Sequence, residues 1–153
     1  MKWVSPAEAV EFLNTVETCR TLDDPEALWD AMYALKDVKT IGGAKRALIV
    51  AGDAPSWNKT RGATIFGETV PADVSNTKVM REIASALGRS SLFIGVLVES
   101  GIKSTFNQLQ SRIPFTSKQV FSVSSSDGVE TQMTQKLEAY LRDLNDKIAA
   151  EED

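Results

Sequence analysis

The chain contains no histidine and only one cysteine, Cys19, among its 153 residues. Each scarcity removes a class of chemistry. Without histidine there is no Ser-His-Asp or Cys-His relay, and the commonest general base and metal ligand is missing. A single cysteine excludes an intramolecular disulfide, and with no histidine beside it there is no zinc site of the usual nitrogen and sulfur type. Long apolar runs are scarce too. The longest, Leu92 to Val98, falls far short of the about 20 residues that cross a bilayer. After Met1-Lys2-Trp3-Val4 the chain meets Ser5-Pro6 and then charge. No secretory signal is read there, so a cytoplasmic protein with no membrane partner is expected.

What is present is the composition of one soluble globular domain, 1–153, with 42% hydrophobic and 25% charged residues. A chain of this length buries roughly two-thirds of its unfolded surface, so neither disulfides nor a structural metal is needed to hold it. The net charge of -4 hides an uneven distribution. Residues 1–30 carry two basic and seven acidic side chains, and 127–153 carry three and eight; residues 31–126 carry twelve and six, a sum of +6. A basic centre between acidic ends is what an anion-binding face requires. Acidic terminal helices packed beside the basic centre account for the same pattern.

Local signals divide the chain. Ser5-Pro6-Ala7-Glu8 is a capping box with proline at the first helical position. Ala9, Phe12, Leu13, Val16 and Cys19 follow on one apolar stripe, which puts Cys19 in the core. Asp24-Pro25-Glu26 repeats the start signal for a second helix with Leu28, Met32 and Leu35, ending before Gly42-Gly43. A strand is expected near 46–51, apolar from Ala47 to Ala51 and buried on both faces. The weaker stretch from Pro55 to Asn76 admits a short edge strand at 63–66. Ser75 caps a third helix carrying Val79, Met80, Ile83, Ala84 and Leu87, and Gly88 suits its C-terminus. A second buried strand is read at 92–98. Ser104 begins a short helix with Phe106, Leu109 and Ile113 inward, and Pro114 stops it. A third strand at 119–124 and a turn at Ser125-Ser126-Asp127-Gly128 lead to a long closing helix. Met133, Leu137, Tyr140, Leu141, Leu144 and Ile148 trace one face of it, with Glu138/Arg142 and Asp143/Lys147 spaced i,i+4 outside. The alternation predicts a three-layer α/β domain: a small parallel sheet, helices on both faces, and a two-helix N-terminal extension.

Ligands of open parallel sheets bind beyond the carboxyl ends of the strands. The loops there are polar. After the first strand come Asp53, Ser56, Trp57, Asn58, Lys59, Thr60 and Arg61; after the second come Glu99, Ser100, Lys103, Ser104 and Thr105; after the third come Ser124 to Asp127. Glu99 to Thr105 joins a strand to a helix, where backbone N–H groups and the helix end could hold a phosphate that Lys103 would neutralise; a serine-capped helix after a core strand accounts for the same residues. Lys103-Ser104-Thr105 resembles the tail of a phosphate-binding P-loop over about seven residues. It departs from that motif at Ile102 and Leu97, where glycines belong, so nucleotide hydrolysis is not carried over. Ser56 to Arg61 sets an aromatic plane beside two cations, which suits stacking on a base or anchoring a protein. Gly43 to Pro55 is similar to the first strand of the ribosomal protein family that binds kinked RNA, without that family's upstream RNA-binding helix start. Asp53, Asp73 and Glu99 resemble the Mg²⁺-binding carboxylates of nucleases with the restriction-endonuclease fold, since hard cations prefer oxygen. That family's Glu-x-Lys reads Glu99-Ser100-Gly101 here, with the nearest lysine at Lys103.

The leading expectation is a non-enzymatic binding domain for an anionic ligand, a phosphate-containing metabolite or nucleotide, with no catalytic residue and no cofactor. Lys59, Arg61 and Lys103 would neutralise charge, Ser100, Ser104 and Thr105 would donate hydrogen bonds, and Trp57 would stack, with Asp53 and Glu99 in the same loops. Two alternatives stand beside it. One is an interaction or assembly protein whose first and last helices pair with copies of themselves or another chain. The other is a Mg²⁺-dependent phosphodiesterase using Asp53, Asp73 and Glu99, or an inactive relative.

Overall fold

The computed structural model of the chain describes residues 5–15, 27–37, 46–65, 67–88, 91–98, 100–123 and 129–152. Helix α1 (Pro6–Thr15) opens with the expected capping box: the Ser5 N–H donates to Glu8 Oε2 at 2.7 Å and the Glu8 N–H donates to Ser5 Oγ at 3.2 Å. The Ser5 backbone bond, and after it the hydroxyl bond, hold the Glu8 carboxyl below the ordinary glutamate value. Helix α2 (Leu28–Leu35) buries Trp29 and Met32. The start signal Asp24-Pro25-Glu26, the glycines 42 and 43, and Val16 and Cys19 lie outside the described residues, as do the side chains of Ala9, Phe12 and Leu13.

Strand β1 (Arg46–Gly52) leads to a short ribbon, β2 (Thr64–Ile65) with β3 (Glu68–Thr69), and to helix α3 (Asn76–Leu87). Strand β4 (Ser91–Leu97), a 3₁₀ turn (Ser100–Ile102) and helix α4 (Lys103–Arg112) follow, then strand β5 (Ser117–Ser122) and helix α5 (Val129–Glu152). The three long strands form a parallel sheet in the order β1-β4-β5. Because the order never reverses, right-handed crossovers carry α3 and α4 to the same face. There Leu48, Val50 and Phe93 meet Trp29 and Met32 of α2, Val79, Met80 and Ile83 of α3, and Phe106 and Leu109 of α4. Phe93 stacks edge-on to Phe106 with centroids 5.7 Å apart and lies 5.2 Å from Phe115. Gly95 makes room for this: a Cβ there would stand 2.9 Å from the Phe106 ring. On the opposite face Tyr140 of α5 packs edge-on against Phe121 and its hydroxyl lies 2.6 Å from Ser117 Oγ. The expected α/β arrangement with helices on both faces is therefore present.

Four details differ from expectation. Strand β1 is not buried on both faces: Leu48 and Val50 are covered, whereas Ala47, Ile49 and Ala51 are exposed. It lies at the edge of the sheet, and α5 reaches across β5 rather than β1. The stretch at 63–66 is no edge strand of the main sheet; Thr64 and Ile65 turn back through Gly67 (φ +80°) onto Glu68 and Thr69. Helix α4 begins at Lys103, one residue before Ser104, directly behind the 3₁₀ turn that ends at Ile102. Leu141, expected on the inner face of α5, is exposed. The side chains of Met133, Leu144 and Ile148 and the turn at 124–128 lie outside the described residues.

Helix α3 has both predicted ends. Ser75 Oγ accepts from the Lys78 N–H, and Gly88 (φ +72°) ends the helix. The last carbonyls gain a distant partner as well: Arg46 Nη1 donates to Ala86 O at 3.2 Å and to Leu87 O at 2.7 Å. A guanidinium at a helix C-terminus opposes the negative end of the dipole and satisfies free carbonyls, and it ties the start of β1 to the end of α3. Arg46→Met is expected to lower stability by about 1–2 kcal/mol, read as a shift of the urea midpoint with unchanged slope. Arg46→Lys should recover most of it, since both bonds leave the one nitrogen Nη1 and an ammonium carries donors for both.

Candidate functional site

The carboxyl ends of β1 and β4 are joined closely. The Val98 N–H donates to Gly52 O at 3.0 Å and the Val123 N–H donates to Leu97 O at 2.9 Å. A Cβ on Gly101 would lie 2.5 Å from the Asp53 carbonyl oxygen and 3.2 Å from Pro55, and one on Gly52 would lie 2.5 Å from Ile102 Cδ1. At Gly101, where the opposing atom is backbone, only glycine fits, so the loops after β1 and β4 close on one another. Asp53, Ser100, Lys103 and Ser104 are exposed around this junction, while Thr105 is buried beside Phe106. Among the described residues Lys103 has no acidic partner.

The rest of the first loop is held from α2. Asp30 is fully buried, at 0% exposure. Its Oδ1 accepts from the N–H groups of Arg61 (3.0 Å), Gly62 (2.9 Å) and Ala63 (2.9 Å), and its Oδ2 from Arg61 again at 2.9 Å. Three successive amides converging on one carboxylate form an anion-binding concavity. Gly62, with φ +83°, supplies the left-handed step within it. Next to it Thr60 is buried as well. Its N–H donates to Val74 O, its hydroxyl donates to Pro71 O at 2.6 Å, and the Val74 N–H donates back to that hydroxyl at 2.9 Å.

This frame fixes the polar side chains of the loop. The Arg61 guanidinium carbon lies over the Trp57 ring, 4.1 Å from its centroid, a cation–π contact. Lys59 forms an ion pair with Asp73. The Lys59 hydrogen bond, and after it the Lys59 charge, hold the Asp73 carboxyl below its ordinary value. Asp73 also takes a positive φ of 63°, which short polar side chains tolerate better than most. Ser56 Oγ is buried without a hydrogen-bond partner among the described residues.

The predicted residues thus fall into two sets. Asp53, Ser100, Lys103 and Ser104 belong to the junction of the β1 and β4 loops; Trp57 and Arg61 form a stacked pair in the loop braced by Asp30, and Lys59 is occupied by Asp73. Glu99 lies outside the described residues, and Thr105 is too buried to meet a ligand at the surface. Among the described residues no three acidic or thiol side chains gather to hold a metal ion. No described helix is long and apolar enough to cross a membrane. Comparison with protein-family models, curated proteins and solved structures finds no match to this chain.

The residue missed by sequence reasoning is Asp30. Its signal was present: within Leu28–Leu35 it is the one charged side chain, flanked by Trp29 and Met32. Asp30→Ala is expected to cost about 3 kcal/mol or more, because several buried donors lose their acceptor at once. Asp30→Asn should cost less, and in both variants amide hydrogen exchange should accelerate first at Arg61, Gly62 and Ala63. Exchange unchanged at these amides would show that the loop does not depend on the carboxylate. The Lys59–Asp73 pair makes a separate statement about pH. Its contribution is present above the unfolded aspartate value and is lost as the pH falls through the lower folded one. A carboxyl NMR titration should find Asp73 below the usual aspartate midpoint, and Lys59→Ala should return it there.

Proposed function

We propose that this chain is a non-enzymatic binding domain that takes a phosphate-containing ligand where the loops after β1 and β4 meet. The observation that carries the reading is Lys103: an exposed cation at the first residue of α4, without an acidic partner among the described residues, between the exposed hydroxyls of Ser100 and Ser104. Lys103 neutralises the anion, the two serines donate to its oxygens, and the first amides of α4 face it with the positive end of the helix. The Gly101 contact with the Asp53 carbonyl holds this turn in place before any ligand arrives, which reduces the ordering cost of binding. Arg61, stacked on Trp57, offers a second cation and a flat surface for a base. Lys59 has no part in this reading, since Asp73 already holds it.

The test is a thermal-shift screen with inorganic phosphate, nucleotides, sugar phosphates and short oligonucleotides at low and high salt. At about 100 times its dissociation constant a ligand adds about 2.7 kcal/mol, several degrees for a domain of this size. One ligand class should raise the melting temperature in a salt-sensitive way; Lys103→Ala should abolish the shift and Lys59→Ala should keep it. A flat response to every ligand, or a shift indifferent to Lys103→Ala, would overturn the proposal. Metal-dependent cleavage of DNA or RNA abolished by Glu99→Gln would overturn it in favour of a phosphodiesterase.

A further inference from the structure

Strand β1 is a sheet edge without the usual protection. Among the described residues it pairs with β4 alone, and the pairing runs in unbroken register from Arg46↔Ser91 to Gly52↔Leu97. Native edges are blunted by charge, proline, bulges or shortness, yet Ala47-Leu48-Ile49-Val50-Ala51 has none of these. The face turned away from the core is equally bare. Ile49 is 58% exposed although Ile94, its partner in register, is 1% exposed, so the covering layer ends at β4.

The sequence of the strand indicates what completes it. Read outward from Ile49, the two halves match: Leu48 answers Val50, and Ala47 answers Ala51. The segment is preceded by Lys45 and followed by Asp53, so an antiparallel copy sets opposite charges beside each other at both ends. Asp53 is exposed and, among the described residues, has no ion-pair partner within the chain. We propose that β1 is the seam of a two-fold homodimer, in which it pairs antiparallel with β1 of a second copy and Ile49 sits on the dyad. The two sheets join into one of six strands, β5-β4-β1-β1-β4-β5. Each Ile49 shields the other as a cross-strand pair, and Leu48 lies opposite Val50 on the core face. Such an interface is isologous and closes after two chains, so no β1 edge is left to recruit a third. This goes beyond the ligand reading and does not depend on it.

Sedimentation equilibrium of the intact chain over a range of concentrations tests the proposal. The expected result is a reversible monomer–dimer equilibrium that Ile49→Asp weakens about tenfold or more, by opposing like charges on the dyad. Far-UV circular dichroism should be unchanged, because the side chain lies outside the core. The register is tested by a short thiol crosslinker, with the parent chain as the control for Cys19. Ile49→Cys should link to itself; Ala47→Cys should not, but should link when mixed with Ala51→Cys. A monomer at every concentration, a dimer indifferent to Ile49→Asp, or self-linking of Ala47→Cys as efficient as that of Ile49→Cys would each overturn it.

Discussion

A buried carboxylate with no cation beside it among the described residues is the interaction on which the loop between β1 and α3 depends. Taking a charge out of water costs several kcal/mol, and only well-placed donors offset it. Asp30 meets that condition with the amides of Arg61, Gly62 and Ala63. The consequence runs in both directions. Helix α2 is held to the sheet by Trp29 and Met32, so the carboxylate is fixed, and the loop between β1 and α3 must fold around it. The Thr60 bonds to Pro71 and Val74 then close the loop's far side. Trp57, Lys59 and Arg61 inherit their positions from this frame rather than from any regular element.

The same interaction limits where an external anion can bind. Successive amides at 61–63 are the kind of concavity that holds phosphate, but here the protein's own aspartate fills it. The proposed anion site at the strand ends therefore rests on α4, whose first turn presents Lys103 and Ser104. That turn is placed by sterics. Gly101 lies against the Asp53 carbonyl, an approach that any Cβ would block, and Gly52 lies against the end of the Ile102 side chain. The 3₁₀ step before α4 follows from this: the chain needs a tight turn to press Gly101 onto the loop before the helix begins.

What was legible in the sequence was what is decided locally. The capping box of Ser5 and Glu8 and the Ser75 and Gly88 ends of α3 are settled within a few residues, and the structure has them where the residues point. The parallel α/β order followed from alternating apolar runs. The position of a strand within the sheet did not, because an apolar run of five reads alike at the centre and at the edge. For β1 the difference lies in α5, more than seventy residues later in the chain, which covers β5 and stops short. Asp30 was hidden for the same reason. Its donors lie 31 to 33 residues away, and its one local mark, a lone charge in an apolar helix, does not name a partner. The Lys59–Asp73 pair was not legible either, because Asp73, fourteen residues on, reaches Lys59 only after the loop has folded back.

The end of the sheet and its edge share one stretch of chain. Strand β1 runs out at Gly52, and Gly52 to Pro55 then passes directly under the turn that begins α4. Changes in this stretch would disturb the proposed ligand site and the proposed dimer seam together and would separate nothing. Lys103 and Ile49 do separate them. Lys103 belongs to α4 and has no place at the β1 edge; Ile49 lies mid-strand, and Ile94 beside it is buried on the same face. A loss of ligand response that leaves association intact, or the reverse, therefore assigns each property to its own surface. Loss of both from a change at Asp53 would report only that the two surfaces are built on the same piece of backbone.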